Sequence, residues 1–248
     1  MSYPIDHVSF GVADLERSVD WYTDLLDYSV DEELSIDGRD SVFVAPSGGS
    51  DDAARLELRE LGDDPEVGDA WGHIAVRVSD LEGSYDSLME AGVPDYRDPD
   101  SCHGRYAFVK DPDGHELELV KRDQGPTWSI DHVMMRVEDA DSALGFWTRK
   151  FEYAHAGRWE ADTFANFFMV SPDAADDALA VELTYNYDGR SYTFGDAWDH
   201  VGIAVDDLDE TWDQLVIREA AIDQEPTDTG VYEGIVADRD GHRIQLFE

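Results

Sequence analysis

The sequence predicts an α+β fold made of four βαβββ modules, arranged as two similar halves. Three observations predict it. Four stretches of the first half return in the second at an offset of 125 or 127 residues. A histidine opens a short apolar run in each of four segments. An aspartate then precedes an amphipathic stretch each time.

The repeat is read directly from residues. Ile5-Asp6-His7-Val8 returns as Ile130-Asp131-His132-Val133, and Arg55-Leu56-Glu57-Leu58 as Ala180-Val181-Glu182-Leu183. Trp71-Gly72-His73-Ile74 matches Trp198-Asp199-His200-Val201. Asp111-Pro112-Asp113-Gly114-His115 matches Asp238-Arg239-Asp240-Gly241-His242. The halves are residues 1–124 and 125–248, dividing into modules 1–62, 63–124, 125–190 and 191–248.

Partial alternation and β-branched content make the runs opening at His7, His73, His132 and His200 strands. Asp14, Asp80, Asp139 or Asp141, and Asp207 suit helix N-caps, each followed by apolar residues at helical spacing. Three strands follow each helix. They fall near Tyr28–Ser35, Ser41–Pro46 and Ala54–Glu60 in the first module, and near Val93–Arg97, Gly104–Asp111 and His115–Val120 in the second. Asp111-Pro112-Asp113-Gly114 reads as a hairpin turn. Leu61–Ala70, Arg122–Ser129 and Asn186–Ala197 read as linkers, and Ser47–Ala54 and Ser171–Ala178 as acidic surface loops.

The 58 Asp+Glu and 18 Lys+Arg give a net charge of -40. The chain is not therefore disordered, because 42% of it is hydrophobic and 11% aromatic. Acidity excludes nucleic acid, which needs a basic stripe, and anionic membrane surfaces. No apolar run reaches the length of a spanning helix, and Met1–Asp6 has no signal-peptide pattern. Thirty-one acids lie in residues 1–124 and 27 in residues 125–248, so the charge is a surface property and not a tail. The bases include only three lysines, Lys110, Lys121 and Lys150. Such a surface suits a halophile's cytoplasm, where salt screens self-repulsion. The lone Cys102 permits no intrachain disulfide and agrees with a reducing compartment.

Metal-ligand residue types recur at matched positions. His7, Glu57, His73 and Glu118 are separated by 50, 16 and 45 residues; His132, Glu182, His200 and Gln245 by 50, 18 and 45. Imidazole and carboxylate together suit divalent first-row metals. Each glutamate sits between apolar neighbours in a strand, and a carboxylate buried there needs a compensating cation. His103, His115, His155 and His242 fall outside the pattern and read as surface or loop residues.

These motifs resemble the vicinal-oxygen-chelate superfamily, most closely a fused two-domain glyoxalase I (lactoylglutathione lyase) of a halophilic archaeon. His132–Val137 resembles that family's opening strand with its arginine. Val181–Asn186 resembles its ligand-glutamate strand, and Lys110–Glu118 its final hairpin. The resemblance implies modules paired in cupped mixed sheets around a metal. Pairing second with third and first with fourth would give sites of His73, Glu118, His132 and Glu182, and of His7, Glu57, His200 and Gln245. Sequential pairing, as in the family's dioxygenases, would instead join His7, Glu57, His73 and Glu118.

The implied reaction isomerises the hemithioacetal of methylglyoxal and a small thiol to an (R)-2-hydroxyacyl thioester, through a metal-held enediolate. Glu118 is the implied base and Glu182 its counterpart. Arg136 and Asn186 would hold the carboxylates of a glutathione or γ-glutamylcysteine thiol. Nickel, cobalt or zinc would serve. The first module has Gly11 and Glu60 where the third has Arg136 and Asn186, and Gln245 cannot act as a base, so the resemblance implies one competent and one altered site. The alternatives are an extradiol Fe(II) dioxygenase using His7, His73 and Glu118, another enolate-forming isomerase or epimerase, and a non-enzymatic binding module. Fusion of four modules is compatible with a monomer.

Overall fold

The computed structural model describes residues 3–36, 39–50, 53–123, 126–172 and 178–248. Positions 51–52, 124–125 and 173–177, parts of expected loops and linkers, lie outside the described residues, as do 1–2 and 37–38. The first module is β1 (Ile5–Val12), α1 (Leu15–Leu26), β2 (Tyr28–Ile36), β3 (Arg39–Pro46) and β4 (Arg55–Glu60). The second is β5 (Trp71–Val78), α2 (Leu81–Glu90), β6 (Tyr106–Lys110) and β7 (Glu116–Lys121). The third is β8 (Ile130–Val137), α3 (Ala140–Lys150), β9 (Ala154–Glu160), β10 (Phe164–Val170) and β11 (Ala180–Asn186). The fourth is β12 (Trp198–Ala204), α4 (Leu208–Ile217), β13 (Ala221–Asp228), β14 (Tyr232–Ala237) and β15 (Arg243–Phe247).

The helices start where an aspartate can satisfy an orphan N–H. Asp14, Asp80, Asp139 and Asp207 each sit in extended backbone and accept from the amide three residues on: Arg17, Gly83, Ser142 and Glu210. The third cap is thus Asp139, not Asp141. The helix faces bearing Tyr22, Tyr85, Trp147 and Trp212 enter the core.

One expected strand is missing. Val93–Arg97 makes only an isolated bridge between Arg97 and Phe108, so the second module has two strands after its helix. Pro94 has no N–H to give a ladder, and Asp95 is tied to the Tyr85 hydroxyl. Pro226 is tolerated within β13 because that strand is a sheet edge.

Strand order decides the pairing of modules. One sheet runs β13-β14-β15-β12-β1-β4-β3-β2, and the other β6-β7-β5-β8-β11-β10-β9. The first and fourth modules therefore join through antiparallel β1 and β12, and the second and third through antiparallel β5 and β8. Each sheet draws strands from both sequence halves, and sequential pairing does not occur. Trp71 and Trp198, at the starts of β5 and β12, stack with ring centroids 5.4 Å apart.

His115 and His242 are not surface residues; both are fully buried. Their turns fold back on an aspartate. Asp111 accepts from the backbone N–H of Asp113 and His115 and bonds His115 Nδ1 at 3.0 Å. Asp238 does the same for Asp240, His242 and His242 Nδ1. Gly114 and Gly241 take φ of 94° and 106°, which only glycine adopts cheaply. Each imidazole then packs across the module boundary, His115 on Phe10 and Trp198, His242 on Trp71 and Phe194. His103 and His155 are exposed, as expected.

Candidate metal centres

Parallel pairing of each module's opening and closing strands brings its histidine and acid together. Glu118 on β7 lies opposite Ala75, two residues past His73 on β5; Glu182 on β11 lies opposite Met134, two past His132 on β8. The antiparallel β5–β8 junction then sets the two pairs face to face. His73, Glu118, His132 and Glu182 are all buried, and one donor atom from each lies within 4.8 Å of the others. His73 Nε2 is 3.2 Å from His132 Nε2 and 3.2 Å from Glu118; His132 Nε2 is 2.7 Å from Glu182. Metal–ligand bonds of ~2.1 Å place neighbouring donors roughly 3 Å apart. The spacing fits a divalent cation, and a neutral imidazole pair cannot donate to both carboxylates and to each other.

The second cluster has the same plan through β1 and β12. His7 Nε2 is 3.0 Å from His200 Nε2, and Glu57 lies 3.9 Å and 3.7 Å from them. Gln245, opposite Gly202 on β12, takes the strand position of Glu118 and lines the same pocket. All eight sequence-predicted ligands thus divide into two groups of four positions.

The dioxygenase triad of His7, His73 and Glu118 does not form, because His7 sits with His200 and the other two with His132. The correspondence of Glu60 with Asn186 is also corrected. Strand register matches Glu60 with Tyr185, so Asn186 corresponds to Leu61. Leu61 Cδ1 lies 2.3 Å from where a Gly11 Cβ would be, so an apolar Gly11–Leu61 contact replaces the Arg136–Asn186 pair.

Arg136 and Asn186 both line the first pocket, a cavity of about 460 Å3. Arg136 Nη1 donates to the carbonyls of Asp69 and Trp71, and Asn186 Nδ2 donates to the Tyr192 hydroxyl. Arg97, Arg105 and Arg122 line it too. Arg122 is committed to Asp131. Among the described residues Arg97, Arg105 and Arg136 have no carboxylate within ion-pair distance. The second pocket, about 530 Å3, offers Arg59 and Arg243, but both are paired with Asp199.

An outer layer escaped the sequence reading. His7, His132 and His200 each bond through Nδ1 to the aspartate just before them: Asp6 at 2.8 Å, Asp131 at 2.9 Å and Asp199 at 3.1 Å. That bond fixes the ring and turns Nε2 inward. Arginines hold the aspartates in turn: Arg55 on Asp6, Arg77 and Arg122 on Asp131, Arg59 and Arg243 on Asp199. The Asp-His dipeptide in three of four modules was the available signal. His73 follows Gly72, and Met134 fills the space where a side chain there would go.

Electrostatics separate the two clusters. Burial opposes a charged His132, yet Glu182, Asp131 and Glu118 together raise its pKa well above the usual value. Burial would likewise raise Glu118, but hydrogen bonds from His132 and His73 hold it well below the carboxylate range. In the second cluster burial dominates, lowering His7 and bringing His200 down to about 4. Those imidazoles are neutral donors at neutral pH.

Known proteins resemble the chain in sequence and in fold. A lactoylglutathione lyase of Arabidopsis thaliana is 28% identical over 211 residues, covering 82% of this chain and 74% of the relative. The lactoylglutathione lyase of Neisseria meningitidis serogroup B is 30% identical over 125 residues, covering 48% of this chain and 91% of its own. Glyoxalase I from Zea mays has the same fold, with a TM-score of 0.88 at 21% identity over 99% of this chain and 92% of that one. Residues 4–119 and 129–246 each match one family description, and the chain belongs to the Glyoxalase/Bleomycin resistance protein/Dioxygenase superfamily.

Proposed function

We propose that the first pocket is the active site of a glyoxalase I-type lyase, isomerising the hemithioacetal of methylglyoxal and a small thiol to a 2-hydroxyacyl thioester of (R) configuration. The observation that carries this is the buried set of His73, Glu118, His132 and Glu182 in one cavity, beside Arg97, Arg105 and Arg136, which hold no carboxylate among the described residues. The similarity to lactoylglutathione lyases along most of the chain supports it.

The donors fit nickel, cobalt or zinc, which would supply Lewis acidity toward adjacent substrate oxygens. The protein's own residues handle the proton. Glu118 is the base that removes it from C1. Among the described residues it is bonded to the two histidines, whereas Glu182 is also anchored by Asn166 Nδ2. Glu118 then returns that proton at C2 and is restored as a carboxylate, while Glu182, facing it across the donor set, takes the hydroxyl proton from the C1 oxygen and passes it to the C2 oxygen. Arg136 and Asn186 orient the thiol's glutamyl carboxylate, and Arg97 and Arg105 attract further negative charge. Phe108, Phe168 and Trp159 give apolar cover over the reacting carbons.

The acidic, lysine-poor composition and buried Cys102 support a cytoplasmic protein working at high salt. Sequence halves 1–124 and 125–248 are proposed as the units of duplication. No helix among the described residues is long and apolar enough to cross a membrane. The deciding experiment is purification in high salt, metal analysis, and parallel assays with methylglyoxal plus glutathione or γ-glutamylcysteine, and with catechol plus oxygen. Thioester formation is expected; ring cleavage with bound iron would overturn the reading.

A further inference from the structure

The second pocket holds an amide where the first holds a carboxylate, and an amide has two unlike ends. Gln245 Nε2 donates to a carboxylate oxygen of Glu233, on the neighbouring strand β14. Reversing the amide would set its oxygen against that carboxylate, two acceptors with no proton between them. Glu233 therefore commits the nitrogen and leaves Oε1 available. Both residues line the pocket that contains Glu57 and His200. Glu57 and His200 gather there with His7, their donor atoms within 4.8 Å of one another. The first pocket has no such device: by strand register Tyr106 stands where Glu233 does, and a carboxylate has no wrong end.

We propose that Glu233 is a positioning residue that turns the Gln245 amide oxygen inward, completing a His7–Glu57–His200–Gln245 site for a divalent cation. An amide oxygen is a competent, neutral, oxygen donor. The set carries one carboxylate instead of two, so it holds an ion with less charge compensation and less affinity than the first pocket. This goes beyond the lyase reading, which rests on the first pocket alone.

The test is titration of the metal-free full chain with nickel or zinc alone, followed calorimetrically and by counting bound ions. A His73→Ala/His132→Ala background isolates the second site. One ion is expected there. Glu233→Gln should weaken it about 10- to 100-fold, the usual cost of losing an outer-layer partner. Combining Glu233→Gln with Gln245→Glu should restore binding, because the new amide can donate to the new carboxylate across the same strand register. Thermal melting checks that each variant folds. If the background does not fold, the intact chain is titrated and the weaker of two binding events is followed. Unchanged binding in Glu233→Gln, no rescue in the double variant, or no ion at the second site would each overturn the proposal. Glu233 and Gln245 line only the second pocket, so in an otherwise native chain their substitution leaves turnover at Glu118 unchanged.

Discussion

The two pockets use the same four strand positions and reach different chemistry. Each sets two histidines face to face across an antiparallel junction and brings glutamate from a parallel neighbour. They part at three places. Glu118 becomes Gln245, Arg136 becomes Gly11, and Asn186 becomes Leu61. Those changes exchange a carboxylate for an amide and take an arginine and an asparagine away from the site, while the histidine pair and one glutamate persist. On the proposed reading of the first pocket, the difference separates metal-holding from proton transfer within one fold.

The largest expected effect breaks the comparison at its base. Glu118→Gln gives the first pocket the second's donor set, and turnover should fall by about 10²- to 10⁴-fold, the usual contribution of a positioned base. Thioester formation is the measurement; full activity would place the chemistry elsewhere. Next, Arg136→Ala should raise KM for the thiol adduct by about tenfold or more, with kcat less affected, because a charged hydrogen bond to a non-reacting group is lost. Steady-state kinetics separates the two constants. Asp131→Asn should sharpen the comparison of outer layers. It removes the charge that steers His132, and metal affinity at the first pocket should drop about 10- to 100-fold, seen by titration.

Salt acts on both pockets' surroundings alike. Screening shortens from about 8 Å at 0.15 M to about 3 Å at 1 M. The melting temperature should rise by roughly several degrees between these conditions, measured by calorimetry. The smallest effect belongs to His242. Burial lowers its pKa, but Asp238 outweighs burial and the net shift is upward. Its stabilising contribution is then fully present below the unfolded value of ~6.5 and is lost as pH rises through the folded value. Denaturant unfolding of the native chain and His242→Gln across that range should show the difference shrinking toward alkaline pH.

Much of this was legible because the chain repeats. Four histidines at matched intervals and four aspartates before helices were legible: the caps stand in the structure, and the histidines gather with glutamates in two buried clusters that could hold a metal ion. The pairing of modules was not legible, since either pairing leaves one complete ligand set and one with Gln245, and only strand neighbours decide it. Val93–Arg97 has strand-like composition, but its proline and the Asp95–Tyr85 bond are local features that composition does not weigh. His115 and His242 read as loop residues because their turns are polar; their burial comes from packing across a module boundary. Arg97 and Arg105 carry no motif, and only the pocket shows them together.

The crossing of sequence halves between sheets also orders assembly in time. The inner histidines, His73 and His132, are 59 residues apart, whereas His7 and His200 are 193 apart. Closing the longer loop costs about 1 kcal/mol more in chain entropy. On a ribosome β1 has to wait for β12, nearly the whole length of synthesis, while β5 meets β8 early. The first pocket, proposed as the active site, can then be built first, and the second closes the molecule by joining β1 to β12.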